Sequence, residues 1–169
     1  MALKAGGMKA ISSRVNHDLR LERKFSPTLK AILGQQFIVQ DPAEDLVGGS
    51  DFVVWTLSAI RVAVRLRTNY YYRAYPNEFT IRWSRPSGAE TEIHKIRKGQ
   101  VDYLLYGFVD EAESKIISFF IGDLTIFRRI NPRPIGIYSN QPPDSQLAAF
   151  NLTQFPSEFV INRGGNIND

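Results

Sequence analysis

Short runs of alternating apolar and polar residues restrict this chain to folds that contain a β-sheet. In residues 59–67, AIRVAVRLR, every second side chain is a large aliphatic one. One face of this run carries Ile60, Val62, Val64 and Leu66. The other face carries Arg61, Ala63, Arg65 and Arg67. A period of two residues is typical of a strand that buries one face.

The order of the other segments predicts an α/β (α+β) fold. Residues 11–25 place apolar side chains on one side of a helix, and Pro27 and Gly34 bound a short second helical segment. DFVVWTL and EFTIRWSR read as strands, TEIHKIRKG reads as a helix that ends at Gly99, and VDYLLYGFVD and KIISFFIGDL read as a hairpin joined by DEAES. We expect one domain with a mixed sheet, in which 51–57, 60–67 and 78–84 are central strands and helices pack against the faces.

The composition changes after residue 130. The stretch NPRPIGIYSNQPPDSQ contains four of the nine prolines, which favours an extended arm. We expect LAAFNLTQF to form a short amphipathic helix and FVIN to add an edge strand. The predicted organisation is a core over 1–130 and a Pro-rich C-terminal extension over 131–169 packed on the same domain.

Several classes of function are excluded by composition. The 169 residues include no cysteine and two histidines, which argues against disulfide scaffolds, thiol catalysis and zinc sites. The chain lacks a P-loop, a dinucleotide-binding glycine motif and a serine-hydrolase elbow. No apolar run is long enough to span a membrane and no signal peptide is evident, so we expect a cytoplasmic protein without a membrane partner.

Positive charge is concentrated in residues 61–99. The formal net charge of the chain is +4, whereas this segment carries nine cations and three anions. Tyr70, Tyr71, Tyr72, Tyr75 and Trp83 lie among the cations. Arginines for phosphates and aromatic faces for bases are what DNA or RNA binding requires. A solvated sheet face with a ladder of tyrosines is the alternative interpretation.

Three carboxylates, at Asp51, Glu22 and Glu92, are candidates for catalysis or metal binding. Asp51 opens an apolar strand after LVGGS, where glycines would let a hard metal ion approach; it could instead only bond loop amides. Glu22 falls on the apolar stripe of the first helix. A carboxylate there needs a partner, so Glu22 could be an active-site residue or could form a salt bridge at the helix edge. Glu92 and Lys95 share a face of the helix predicted for residues 91–99. They could act as metal ligand and water-orienting lysine, or they could form a surface ion pair.

The order of helix, aspartate-initiated strand, arginine-rich strand, third strand, helix and strand resembles the restriction-endonuclease-like PD-(D/E)xK superfamily. More narrowly, the runs from GGSDFVVW to GDLTIFR resemble small phage and bacterial proteins. The resemblance implies Mg²⁺ as cofactor, with Asp51 matching the first metal-binding aspartate and Glu22 the frequent first-helix glutamate. At the (D/E)xK position this chain has Arg65-Leu66-Arg67, and arginine cannot bind Mg²⁺. The missing groups could have moved to Glu92 and Lys95, or to Glu78, or the site could be inactive.

These observations predict a nuclease-like protein that binds DNA or RNA, with Mg²⁺-dependent phosphodiester hydrolysis as its activity. In that mechanism Asp51 and Glu92 hold the metal, Lys95 orients water, and Glu22 completes the catalytic set. The residues expected to bind nucleic acid are Arg65, Arg67, Arg82 and Tyr71. The alternative is a non-catalytic nucleic-acid-binding or assembly protein that keeps the fold. The sequence leaves the oligomeric state open, with a homodimer among the alternatives.

Overall fold

The computed structural model describes residues 13–39, 53–54, 60–139 and 145–165. Five α-helices lie in these ranges: α1 Ser13–Lys24, α2 Ser26–Phe37, α3 Asn69–Ala74, α4 Glu92–Arg97 and α5 Leu124–Ile130. Short 3₁₀ turns follow at Leu152–Gln154 and Ser157–Phe159. The helices predicted for residues 11–25 and 91–99 are confirmed as α1 and α4, and α4 ends before Gly99, whose positive φ of 68° suits glycine.

The described strands form three sheets. They are β1 Ile38–Val39, β2 Val53–Val54, β3 Val62–Thr68, β4 Glu78–Ser84, β5 Tyr103–Val109, β6 Ile116–Asp123, β7 Gly136–Ser139, β8 Gln146–Asn151 and β9 Val160–Gly165. The four-stranded sheet has the order β3-β5-β6-β9, with β3 and β5 parallel and the other neighbours antiparallel. The three-stranded sheet has the antiparallel order β4-β8-β7, and β1 pairs with β2 separately. The mixed α/β class is therefore as predicted.

Two apolar cores lie on opposite faces of the four-stranded sheet. On one face, Leu21, Phe25 and Leu29 of the first two helices pack against Leu66, Leu105, Val109 and Ile121. On the other face, the two larger sheets pack together through Phe79, Ile81, Tyr106, Phe108, Phe120 and Phe150, with Phe159 beside them. The alternation of β3 explains this arrangement, since Leu66 enters the first core whereas Ala63 packs against the second.

The predicted sheet is wrong in two respects. Strand β3, predicted to be central, lies at the edge of the four-stranded sheet. Residues 78–84 form a strand, but β4 pairs with β8 in the three-stranded sheet rather than with β3. Of the predicted strand 51–57, only 53–54 lies among the described residues, and it pairs with 38–39. The rest of that prediction lies outside them.

The C-terminal residues also differ from expectation. Residues 146–151 are the middle strand of the three-stranded sheet and not part of a helix, because their edges pair with both β4 and β7. The edge strand predicted at FVIN is confirmed as β9, and the hairpin predicted for residues 101–124 is confirmed as β5 and β6. Helices α3 and α5 were not predicted.

Candidate nucleic-acid interface

Glu92 and Arg65, two of the predicted site residues, form an ion pair with each other. Nη2 of Arg65 donates to Oε2 of Glu92 at 2.5 Å, and the two side chains are only 12% and 15% exposed. The same carboxylate oxygen accepts the backbone N–H of Arg82 at 3.0 Å. Glu92 therefore joins β3, β4 and α4, and its Oε2 already accepts hydrogen bonds from two donors.

The remaining catalytic candidates do not converge on Glu92. Lys95 is exposed on α4, whose buried residues are Ile93 and Ile96, and none of the contacts found among the described residues joins Lys95 to Glu92. Glu22 belongs to α1, which covers the Leu66 face of β3, whereas Arg65 and Glu92 lie on the opposite face. Asp51 lies outside the described residues. Within the described ranges, no group of three acidic or histidine side chains is placed to hold a metal ion.

Several cations of segment 61–99 already have partners within the protein, so fewer are available to bind phosphate than the sequence suggests. Arg61 pairs with Asp102, Arg73 with Glu111 and Lys98 with Glu90, while Arg97 lies 5.0 Å from the centre of the Trp83 ring. The hydrogen bond from Arg61 holds the pKa of Asp102 below its ordinary value, and the bond from Lys98 does the same for Glu90. Two of these acids lie outside the segment, so a charge count within it overestimates the free positive charge.

Arg67 is buried and is bonded to two hydroxyl groups. Its residue is 7% exposed, its Nη2 donates to Oγ1 of Thr80 at 3.1 Å, and its Nε donates to Oη of Tyr106 at 3.4 Å. The two hydroxyl oxygens are 3.3 Å apart. We call Arg67, Thr80 and Tyr106 the hydroxyl triad. It brings a permanent positive charge close to the protein surface without presenting the guanidinium to solvent.

A pocket of about 230 Å³ opens directly beside the hydroxyl triad. Its lining comes from α3, β4, β5, β7 and β8, and consists of Tyr71, Tyr75, Glu78, Thr80, Tyr106, Phe108, Tyr138, Ser139, Leu147 and Ala149. Thr80 stands opposite Ala149, on the face of the three-stranded sheet that points away from Phe79 and Phe150. We call this cavity the tyrosine pocket, because four tyrosines surround it.

The rim of the tyrosine pocket is aromatic and accessible. Tyr71 is 36% exposed, Tyr75 49% and Tyr138 58%, which is unusual for large side chains that bury well. Tyr71 and Tyr75 are four residues apart on and just after α3, so both rings project from one side of the helix. The walls beneath them are apolar, formed by Phe108, Leu147 and Ala149. Such a cavity suits a flat, largely apolar ring.

A second cavity shares Ser139 with the tyrosine pocket and is lined mainly by polar residues. It also measures about 230 Å³, and it is lined by Ser84, Arg85, Pro86, Ser139, Ser145 and Gln146. Ser139 lines both cavities, so they adjoin at β7. Arg85 is exposed here, and Oγ of Ser84 donates to Oε1 of Gln146 at 2.6 Å. We call this the polar pocket.

The sequence predicted only some of the residues that line this candidate site. Tyr71 is the one predicted nucleic-acid-binding residue that lines the tyrosine pocket, while Arg67 contacts its floor from behind. Tyr138 and Ser139 were missed because they come from the Pro-rich segment, which pairs with β8 to reach the site. The cluster NYYYRAY was a usable signal, since four tyrosines in six residues exceed what a core requires.

Comparisons with known proteins return no match. No protein-family model matches the chain, and neither a curated protein nor a solved structure is significantly similar to it. Among the described helices, none is long and apolar enough to cross a membrane.

Proposed function

We propose that this protein binds single-stranded nucleic acid and takes one unstacked base into the tyrosine pocket. The observation that carries the proposal is the set of exposed tyrosines around a cavity whose floor is formed by the hydroxyls of Thr80 and Tyr106. Aromatic side chains bind single strands by stacking on base faces, and each stacked base contributes about 1–3 kcal/mol. In a duplex both faces of a base are already stacked, so the pocket favours single strands, loops and ends.

The dimensions of the pocket support a single ring system as occupant. Pockets for drug-sized ligands measure roughly 300–1,000 Å³, and a cavity of about 150 Å³ holds benzene. A volume of about 230 Å³ lies between these limits. A nucleobase is flat, is of this intermediate size and carries polar groups on its edge, which matches an apolar cavity with a few hydroxyls.

Exposed arginines beside the tyrosine pocket would bind the phosphates. Arg73 follows Tyr71 on α3, and its ion pair with Glu111 has both side chains more than 70% exposed. An exposed pair of this kind is worth little, so a phosphate can replace Glu111 at low cost. Arg85 in the polar pocket supplies a second cation on the other side of Ser139. A strand could therefore place a base in one pocket and its neighbouring phosphate in the other.

The proposal is for binding without turnover. The Arg65–Glu92 ion pair occupies the carboxylate that the migrated nuclease site requires, and this favours the non-catalytic alternative. Mg²⁺-dependent hydrolysis stays a prediction, and it depends on Asp51 together with a carboxylate other than Glu92. Cleavage of labelled DNA or RNA with Mg²⁺ or Mn²⁺, but not with EDTA, would support that activity.

Substituting the rim tyrosines tests the proposal. Tyr71→Ala and Tyr75→Ala should each weaken binding of a fluorescently labelled single strand by about 1 kcal/mol or more, a factor of at least about five, because each removes a stacking surface. Fluorescence anisotropy at fixed salt measures the dissociation constants. Tyr70→Ala is the matched control: Tyr70 is on the same helix and more exposed, but does not line the pocket.

The two possible failures are distinct. If the unmodified protein binds no single strand at low salt, the proposed function is wrong. If it binds, but Tyr70→Ala weakens binding as much as Tyr71→Ala and Tyr75→Ala, the pocket is not the binding site.

A further inference from the structure

We infer that the tyrosine pocket prefers guanine, and that Glu78 is the residue that determines this preference. The inference rests on the proposed function, because it specifies which base enters the pocket. It follows from the hydrogen-bonding capacity of the polar atoms in the lining, which differs between the floor and the side of the cavity.

The floor of the pocket offers a hydrogen-bond donor. Arginine only donates, so Arg67 occupies acceptor positions on both Thr80 and Tyr106. Each hydroxyl has a single hydrogen, and the 3.3 Å contact between the two oxygens uses one of them. The other hydrogen is left for a group outside the hydroxyl triad. Since both residues line the pocket, a bound ring should turn an acceptor towards this floor.

The side of the pocket offers acceptors. Glu78 precedes Thr80 by two residues on β4, so both side chains project from the same face of the strand, roughly 7 Å apart along it. Neither a hydrogen bond nor an ion pair of the Glu78 carboxylate is found within the described part of the chain. An ionised carboxylate accepts through two oxygens and donates nothing.

Guanine satisfies both requirements on one edge. Its O6 is an acceptor, and N1–H and the 2-amino group beside it are two adjacent donors that can reach both oxygens of a carboxylate. Adenine and cytosine offer one amino group next to a ring acceptor, which would face the carboxylate unfavourably. Uracil and thymine offer a single N–H flanked by two carbonyl groups. A good bidentate contact between a side chain and a base is worth about 1–3 kcal/mol of discrimination.

Arg67 is a positioning residue in this scheme and does not touch the base. Arg67 occupies one acceptor site on each hydroxyl, and the contact between the two oxygens leaves one hydroxyl hydrogen that can donate into the pocket. Floor and side then select opposite ends of the same base edge.

The experiment uses short thymine oligonucleotides that carry one central guanine, hypoxanthine, adenine or cytosine. A single purine avoids guanine quadruplexes, and hypoxanthine keeps O6 and N1–H while lacking the 2-amino group. We expect the guanine strand to bind between about 5 and 150 times more tightly than the adenine or cytosine strand, with hypoxanthine in between. Glu78→Gln should abolish the preference of guanine over hypoxanthine, because an amide presents one acceptor instead of two. Glu158→Gln makes the same change on an exposed residue outside the pocket and should leave the preference intact.

Each result decides the matter. Equal affinity for all four strands, with binding still lost in Tyr71→Ala, would overturn the guanine inference and leave the proposed function standing. A guanine preference that survives Glu78→Gln would also overturn it. If no strand binds, both the inference and the proposed function fail. Circular dichroism of Glu78→Gln confirms that the variant is folded before its base preference is measured.

Discussion

A buried guanidinium needs several acceptors to offset its lost hydration, and Arg67 obtains two of them from Thr80 and Tyr106. Thr80 and Tyr106 also line the tyrosine pocket, so Arg67 holds in place the two hydroxyls that form its floor.

The carboxylate of Glu113 is held by two basic side chains, and its contribution to stability should therefore depend on pH. Nε2 of His17 lies 2.7 Å from Oε1 of Glu113, and Nη2 of Arg20 donates to Oε2 at 2.5 Å. The hydrogen bond with His17, followed by that from Arg20, holds the pKa of Glu113 below its ordinary value of 4.5. Because the folded-state pKa is lowered, the stabilisation is complete above 4.5 and is lost as the pH falls through the folded-state value.

We predict that Glu113→Gln lowers the free energy of unfolding at pH 7 by about 1 kcal/mol, since α1 loses its ionic contact with the β5–β6 turn. The difference from the unmodified protein should shrink as the pH is lowered to about 3. Urea denaturation at several pH values measures it. Glu111→Gln, whose side chain is 74% exposed in the same turn, is the control and should change little. A difference that stays constant with pH would contradict the assigned contact.

At the level of single residues, the sequence predicted which face each β3 side chain occupies but not what covers that face. The alternation in 60–67 correctly separated Leu66 from Arg65 and Arg67. It gave no information that a second sheet would pack over the arginine face, because that sheet is built from β4, β7 and β8, which are distant in sequence. Arg65 and Arg67 therefore became largely buried residues instead of a solvated row.

At the level of elements, the Arg65–Glu92 ion pair connects the edge strands of the two larger sheets. Arg65 is on β3, Glu92 begins α4, and the backbone amide of Arg82 on β4 bonds to the same carboxylate. β3 and β4 belong to different sheets, so backbone pairing does not join them. A partly buried, shared carboxylate supplies the connection that a ladder of hydrogen bonds provides elsewhere.

A double-mutant cycle on this pair tests its structural role. Arg65→Met and Glu92→Met should each destabilise the fold by about 2–4 kcal/mol, because each leaves a poorly hydrated charge behind. The double variant should be less destabilised than the sum, with a coupling energy of about 1–3 kcal/mol by urea denaturation. The cycle Arg73→Met with Glu111→Met is the exposed control and should give about 0–1 kcal/mol. Additive effects at Arg65 and Glu92 would contradict the connection.

Elements whose sequence has a clear local pattern could be predicted. Elements whose conformation depends on pairing with distant strands could not. Helix α4 has Thr91 as N-cap and a terminal glycine, and the β5–β6 hairpin has two apolar runs around an acidic turn. Residues 147–150, LAAF, fit a helix equally well by composition. Their strand conformation is set by pairing with β4 and β7, which local sequence does not encode.

At the scale of the whole molecule, the packing of helices and sheets in layers determines which surfaces a ligand could reach. In the described part of the chain, helices α1 and α2 pack on one face of the four-stranded sheet and the three-stranded sheet packs on the other. The tyrosine pocket lies where Glu78, Thr80, Leu147 and Ala149 of the three-stranded sheet meet Tyr106 and Phe108 of β5. Exposed tyrosines and hydroxyl groups meet there, and the proposed contact with phosphate depends on the surface cations beside them rather than on the net charge of +4.

The most direct test of this account is photo-cross-linking of single strands that carry 5-iodouracil at each position in turn, followed by mass spectrometric identification of the linked peptides. Iodouracil reacts with aromatic side chains close to the base. We expect cross-links to Tyr71, Tyr75 or Tyr138. An excess of unlabelled single strand should abolish these cross-links, whereas an excess of duplex should not. Cross-links confined to Trp83, which lies beside Arg97 and does not line the tyrosine pocket, would contradict it.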